Sequence, residues 1–570
     1  MRSSFARRQL HGLLTSQAFG AGSSLVAGVA DMVVAGNFVG IDALSGIAAV
    51  LPVVIGAQFV ARLVSCGSGY LFAKYQGLLD AKRSRETVGL ALTASAAVGL
   101  VIFLVTLLGR DCYFELMGLT GAVREQASLY WRWIFIYYSL YPLMQTMWKF
   151  VCADGEMVTT AVGGTLSPLL TIALSALFAR LTGTAAGVAL GVLVGMGMAD
   201  LVMMLHCLRR SNSVVPSWGF SWWGLKELLS YSLTDSTAKL CQCAFVAVVN
   251  RLVIFSASVA YLPVVGMLML VQQLCDVLDH IGEAYVPLAE MYLGERNVPR
   301  LRELAKHSLM IALIVGLGLL VAVELFAPQL VALYGIPPGP VFDHSVIALR
   351  FSGGYFPLAS ALLFLSSHYL VLERIALSVA TTIATGFLLT AGGATFCCLI
   401  WGLDALWIGL PFGGLLTMGA VVAYCRLFEN RGLPLLIPDE CASVLNQTLV
   451  PEAAKIVEAR DAGERFLRLQ GVGAETIARL MLLVEECVMA VADGCRQARK
   501  VLVEVSIFVD PREVTLVLRD TGAVRDVTDG DAQVTSLRSF VIAGLVSSHE
   551  NRHYLNTIGC NRTVFAMNRG

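Results

Sequence analysis

Long apolar runs alternate with short polar connections from residue 13 to residue 425, and each run approaches the roughly 20 residues that cross about 30 Å of hydrocarbon as a helix. The pattern predicts twelve spans, over 13–35, 43–69, 87–108, 128–150, 157–179, 183–207, 228–255, 261–289, 306–326, 346–370, 376–398 and 403–425. Beyond Phe428 the pattern changes. Glu452 to Leu469 places its apolar residues at a 3.6-residue period, and Ala474 to Cys495 is a second, more apolar helix. Val501 to Val509 and Glu513 to Arg519 alternate like strands around Asp510-Pro511, and Tyr554 to Thr557 with Thr563 to Met567 form another candidate pair. The tail therefore reads as a two-layer α/β domain with a mixed or antiparallel sheet.

A polar segment of the apolar part occurs twice, as Gly77 to Glu86 (GLLDAKRSRE) and, 217 positions later, as Gly294 to Glu303 (GERNVPRLRE). Gly77/Gly294, Arg83/Arg300, Arg85/Arg302 and Glu86/Glu303 fall in the same register, and each copy follows an apolar hairpin and precedes another apolar run. Such self-similarity indicates a carrier built from two halves. The expected fold is an all-α polytopic membrane protein whose twelve transmembrane helices form two six-helix bundles, residues 1–215 and 216–428. A linker, 429–440, then leads to the cytoplasmic α/β domain, 441–570.

Charge supports this layout. Lys74, Lys82, Arg83, Arg85, Lys149, Arg209, Arg210, Lys226, Arg296, Arg300, Arg302, Lys306, Arg374 and Arg426 lie in alternate connections, and the opposite ones hold little beyond Arg110, Arg124 and Arg180. By the positive-inside rule both termini and both copies of the repeat face the cytoplasm. The chain is 56% hydrophobic and only 14% charged, against about 25% charged in ordinary soluble domains, so lipid solvates most of it. Its zero net charge predicts no nucleic-acid partner. Basic residues 1–12 precede a full-length span, which reads as a retained helix rather than a cleaved signal. The fourteen cysteines are scattered; Cys241/Cys243 and Cys397/Cys398 suit neither a zinc site nor a redox pair. They read as small core residues, and no metal is expected.

Span eight carries Gln272, Asp276, Asp279 and Glu283 at i, i+4, i+7 and i+11, with Gln273 and His280 beside them. Three carboxylates thus share one helical face. Each costs about 2.5 to 3.5 kcal/mol at membrane depth, so the stripe must face an interior or water. Repulsion between close carboxylates favours proton uptake, which suits a proton or sodium relay. The alternative is a neutralised network with span seven, where Asp235 and Lys239 form an i, i+4 pair. Asp31 is the sole charge of span one; its position alone also suits a hydrated interfacial aspartate. Gly183, Gly187, Gly191 and Gly195, at four-residue intervals, predict a helix-packing face.

Asp31-Met-Val-Val-Ala-Gly-Asn-Phe-Val-Gly40, followed by Ala43-Leu-Ser-Gly-Ile-Ala-Ala, resembles the first-span signature of MATE transporters, the multidrug and toxic compound extrusion family. The duplicated G-x-x-x-x-x-R-x-R is similar to theirs, and the resemblance covers roughly residues 8–426. It implies a secondary antiporter in the plasma membrane of a bacterial cell, exporting small organic, often cationic compounds by alternating access. Inward H+ or Na+ would drive it, with no other cofactor. Asp31 matches the acidic residue of the family motif that is implicated in coupling. The span-eight stripe has no counterpart in that pattern. Two rivals remain: a carrier-like sensor signalling through its tail, and a lipid-linked precursor flippase, which the scarcity of Lys and Arg within the spans disfavours.

The tail has a resemblance of its own. Leu483-Val-Glu485-Glu486-Cys-Val-Met489-Ala490, Arg519-Asp520-Thr-Gly522-Ala523 and Tyr554-Leu-Asn-Thr-Ile-Gly559-Cys-Asn561-Arg-Thr are similar to boxes of the histidine-kinase-like ATPase fold of anti-sigma-type kinases. The resemblance implies nucleotide contacts at Glu485, Asp520 and Gly522. However, Met489 stands where that fold has a magnesium-binding Asn, and a thioether does not ligate so hard a cation. Val524 replaces a second Gly, and Ser536-Leu-Arg-Ser-Phe540 replaces the glycine-rich lid. A degenerate domain is expected, one that does not hydrolyse ATP and that regulates the carrier or binds a regulatory protein.

Overall fold

The structure is a computed structural model. It describes residues 5–77, 81–153, 157–205, 217–257, 259–429, 434–437, 443–493, 501–522, 542, 545, 552–557 and 560–569. They form two compact units: Ser16–Gly282 with Leu309–Pro434, and Met1–Thr15 with Glu283–Ser308 and Leu435–Gly570.

The larger unit is helical. Its first half runs through α1 (Phe5–Phe38), α2 (Ile41–Gly77), α3 (Ala81–Met117), α4 (Gly121–Ala153), α5 (Met157–Thr182) and α6 (Ala185–Met204). The second continues through α7 (Trp222–Ser256), α8 (Leu262–Gly294), α9 (Val298–Leu333), α10 (Pro340–Gly353), α11 (Phe356–Val371), α12 (Ile375–Ile383), α13 (Leu389–Trp401), α14 (Leu403–Leu406) and α15 (Gly409–Leu427). The ends of α1, α8 and α9 that belong to the smaller unit are described with it. Among the described residues nine helices are long and apolar enough to cross a membrane, or ten if α10 and α11, bent by 47°, are one span. The expectation of twelve is therefore met only in part by that measure. Of α1, only Val29–Phe38 registers as an apolar helix; α4 is diluted by its tyrosines, tryptophans and Arg132. The bend in the tenth predicted span follows from Gly353-Gly354 and from Pro357 in the first turn of α11. The eleventh is interrupted by a π-helical stretch, Ala384–Leu388, between α12 and α13.

The duplication is visible in how helices cross. A Cβ on Gly99 of α3 would lie 2.2 Å from the Ser139 carbonyl oxygen of α4; 217 residues on, a Cβ on Gly316 of α9 would lie 2.9 Å from that of Phe356 in α11. Gly191 and Gly195 of α6 press on Ser175 and Thr171 of α5, and Gly409 and Gly413 of α15 press on Ala394 and Leu389 of α13 in the same way. Gly187 joins this predicted packing face, whereas Gly183 sits in the preceding turn at φ +62 with open space around it.

The smaller unit contains a five-stranded sheet in the order β1-β2-β3-β5-β4, with every neighbouring pair antiparallel. The strands are β1 (Ser443–Leu449), β2 (Val503–Val509), β3 (Glu513–Asp520), β4 (Arg552–Thr557) and β5 (Cys560–Asn568). Helices α16 (Ala453–Leu469) and α17 (Ala474–Asp493) follow β1. Val503, Val505, Ile507, Leu516, Leu518 and Phe565 form one core with Ile456, Leu467, Leu480 and Val484 of these helices. Strand β1 was not anticipated, since SVLNQTL offers few strong strand formers. The opposite sheet face carries Asn446, Glu504, Ser506, Arg519 and Arg562 in register. The end of α8 and the start of α9 lie over it.

Candidate functional site

Three polar arrangements stand out, two in the helical unit and one in the smaller unit. Asp31 of α1 accepts a 2.9 Å hydrogen bond from the Tyr130 hydroxyl of α4. Seven residues further along the same helix, Tyr137 donates to Asp200 of α6 at 3.5 Å. A spacing of seven keeps both hydroxyls on one helical face, so α4 presents two neutral donors to two carboxylates. The hydroxyls support the charged oxygens without cancelling their charge, which leaves the carboxylates able to take a cation. Tyr138, beside Tyr137, receives a 3.1 Å bond from the Gln58 amide of α2, and its ring packs on those of Tyr137 and Tyr141 at 5.4 Å. Sequence reasoning found Asp31 but missed Asp200. The available signal was that Asp200 is the lone charge of α6.

The second arrangement joins α7 to α8. Lys239 lies 3.6 Å from Asp276 and donates to Gln242 at 2.7 Å, and Gln242 donates to Gln272 at 3.1 Å. Of the two alternatives for Lys239, its i, i+4 partner Asp235 and a network with span eight, the contact seen is with α8; the Asp235 side chain lies outside the described residues. The His280 ring bonds the Asp276 carbonyl of its own helix at 2.7 Å. Asp279 and Glu283 are exposed on α8. At that level α11 backs the helix, since a Cβ on Gly282 would meet the Ser367 hydroxyl at 2.5 Å. The candidate residues therefore fall into two sets, Asp31 on α1 against α4, and Asp276 on α8 against α7.

The two halves meet along α2 and α7. Pro52 lies inside α2 and so cannot donate to the Ala48 carbonyl. The buried Asn250 of α7 supplies the missing donor at 3.1 Å. Near the end of α1, Asn37 bonds the Leu333 carbonyl at 2.7 Å, and Gly36 approaches so closely that a Cβ would lie 1.7 Å from the Tyr334 carbonyl oxygen.

The third arrangement centres on the second repeat copy. Arg296 takes a left-handed conformation at φ 57, ending α8, and Asn297 caps α9 by accepting from the Arg300 amide at 3.3 Å. The Asn297 amide also exchanges two hydrogen bonds with Asn446 of β1, at 2.8 and 2.9 Å. Around this turn, seven charges alternate in sign. Arg7 meets Glu303 at 2.9 Å, Glu303 meets Arg300 at 2.7 Å, Arg300 meets Glu504 at 2.8 Å, and Glu504 meets Arg519 at 2.8 Å. Arg519 in turn pairs with Glu295, whose other oxygen lies 2.6 Å from Arg562. Glu504 and Arg519 have no exposed side-chain surface, and Glu295 has 4%. Burial pushes the Glu504 carboxyl above its ordinary value, opposed by the Arg300 guanidinium and the Tyr292 hydroxyl. Burial also pushes Arg519 down to about 10, which leaves it cationic at neutral pH.

The residues proposed for nucleotide contact are otherwise engaged. Glu485 receives Arg460 at 3.4 Å. Asp520 accepts from the Gly522 amide at 2.8 Å and from Asn561 at 3.0 Å. The lid segment 536–540 lies outside the described residues. Among the described residues no group of three or more His, Cys, Asp or Glu is placed to hold a metal.

Comparison with known proteins bears on the fold. The MatE family model matches residues 18–177, a stretch that includes Asp31 and Tyr130. The fold is shared with a solved inward-facing multidrug resistance MATE family transporter of the MOP superfamily: TM-score 0.66, 20% identity, 71% of this chain and 94% of that one. An outward-facing MATE family structure gives 0.59 at 20% identity over 75% and 96%. A MOP superfamily transporter from Pyrococcus furiosus, described as having a binding pocket of reversed polarity, gives 0.60 at 20% over the same shares. No curated protein matches the chain.

Proposed function

We propose that the chain is a secondary transporter rather than an enzyme: a cation-coupled antiporter that moves small organic, cationic compounds out of the cell by alternating access. The observation that carries this reading is Asp31, a membrane-level carboxylate held by Tyr130 inside the MatE-matched stretch of a fold seen in both inward- and outward-facing structures. Residues 1–215 and 216–428 are the two moving halves, set in the cell membrane with both termini in the cytoplasm. H+ or Na+ binds at Asp31, with Asp200 as its neighbour on the α4 tyrosine face. Asp276, Lys239 and Gln272 line the organic compound's route, with Asp279, His280 and Glu283 further along α8 and Asp235 on α7. The tail, 441–570, is a degenerate nucleotide-fold domain that regulates this cycle.

The test is flux in proteoliposomes loaded with a fluorescent cationic dye, with proton and sodium gradients imposed separately. One of the two gradients should drive dye movement in the wild type and fail to do so in Asp31→Asn. Dye movement that ignores both gradients, or full activity in Asp31→Asn, sinks the coupling role.

A further inference from the structure

The two repeat copies have diverged at the place where the second meets the tail. Arg83 and Glu86 of the first copy correspond to Arg300 and Glu303, but Leu78 stands where the second copy has Glu295. Glu295 is the residue that reaches both Arg519 and Arg562 of the sheet. A glutamate that stands where the other copy has a leucine, and is almost wholly buried against two arginines, is difficult to explain by membrane topology alone. It is explained if this turn was fitted to the sheet.

The character of the contact is as informative as its location. Arg519 also lies over the Tyr292 ring at 4.9 Å, and the Tyr292 hydroxyl donates to Glu504 at 2.9 Å. The contact also includes the Asn297–Asn446 pair and bonds to the Thr448 hydroxyl from Arg300 and from the Phe5 amide, at 3.2 Å each. Among the described residues Phe5 packs with Leu502, Cys560 and Val450. Buried ion pairs repay their desolvation poorly and contribute more to register than to affinity. A contact centred on such pairs favours one register of sheet against turn. Helix α8 continues unbroken from this turn to Asp276 and Gln272, so whatever fixes the turn fixes one end of the helix that carries the polar stripe.

We propose that the tail is a reversible clamp: its sheet grips the Gly294–Glu303 turn through the alternating charges and thereby restrains α8, holding the carrier in a slow state until the clamp is released. This rests on the transport reading given above. The first copy carries Leu78 in the sequence position of Glu295, so the brake is assigned to the second half.

The experiment uses the full-length protein in lipid. Glu295→Leu installs the residue of the first copy, and the pair Glu295→Arg with Arg519→Glu reverses the central ion pair. Coupling energies between sites commonly correspond to about 5- to 150-fold. Glu295→Leu is accordingly expected to raise gradient-driven dye flux by about tenfold and amide exchange in residues 284–303 by a similar factor. The charge reversal should return both towards wild type. Faster exchange with unchanged or slower flux overturns the brake, and unchanged exchange overturns the clamp. Should no gradient drive flux in any variant, the transport reading fails, and the exchange measurement alone still decides whether the tail grips the turn.

Discussion

Tyr130 gives its hydroxyl to Asp31 at 2.9 Å, across 99 residues of chain. A hydrogen bond to a charged group contributes about 1.5 to 3 kcal/mol, and every 1.4 kcal/mol or so is tenfold in an equilibrium constant. Tyr130→Phe is therefore expected to change the concentration of coupling ion that half-saturates transport by about tenfold or more, with transport retained. Asp31→Asn should abolish gradient-driven flux. The check is flux against graded proton and sodium gradients; an unshifted Tyr130→Phe curve would leave the hydroxyl with no part in coupling.

The same assay ranks Asp200. Tyr137 holds it as Tyr130 holds Asp31, although at the longer distance of 3.5 Å. Asp200→Asn should weaken coupled flux while leaving the protein folded, by less than Asp31→Asn does, because its hydrogen bond is longer and weaker. Wild-type coupling in Asp200→Asn would confine the ion site to Asp31.

These two pairs mark how far the sequence could be read. Asp31 was legible because its motif is local. The glycine face of α6 was legible because four-residue spacing is enough to define a helical stripe. Asp200 was not, because its meaning depends on Tyr137, 63 positions earlier on another helix. The tail ladder was hidden for a different reason. Glu504, Ser506 and Arg519 alternate with apolar residues along β2 and β3, the pattern of a strand face turned to water. Only the structure places Tyr292, Glu295 and Arg300 over that face. The sequence offered Lys239 both an i, i+4 partner in Asp235 and a network with span eight, and its spacing alone did not decide between them; Lys239 lies 3.6 Å from Asp276.

The Asn250–Ala48 bond yields a prediction about stability. Pro52 deprives the Ala48 carbonyl of its helical donor and Asn250 replaces it. Asn250→Leu strands a buried acceptor, at about 1 to 3 kcal/mol. Pro52→Ala restores the backbone N–H, so Asn250→Leu should cost far less in a Pro52→Ala background. Thermal unfolding of the four proteins in the double-mutant cycle checks this; equal losses in both backgrounds would refute the orphaned-carbonyl account.

Gly36 tests the contact between halves. A Cβ there would collide with backbone at Tyr334, whereas Gly22 of the same helix has nothing within 4 Å. Overpacking a tight site costs about 1 to 3 kcal/mol, charged here against the state in which α1 and the end of α9 touch. Gly36→Val should slow transport by about tenfold or more at this cost, and Gly22→Val should not. Equal rates in the two variants would mean that the cycle never needs this contact.

The last prediction concerns pH and separates Glu504 from the other acids of the tail. Burial raises its folded-state pKa above the ordinary 4.5, so the folded tail takes up this proton at a higher pH than the unfolded chain does. The group's contribution to stability is fully present below 4.5 and is lost as pH rises through the raised folded value. Glu504→Gln lacks this dependence, and Arg300 and Arg519 stay charged throughout the window. The stability of the wild type relative to Glu504→Gln should therefore increase as pH falls from neutrality towards 4.5, even though both proteins lose stability overall as other carboxylates protonate. Unfolding midpoints of the two proteins, compared at each pH, read the difference directly. A difference that shrinks on acidification would mean that Glu504 is stabilised as an anion by its two arginines more than burial destabilises it.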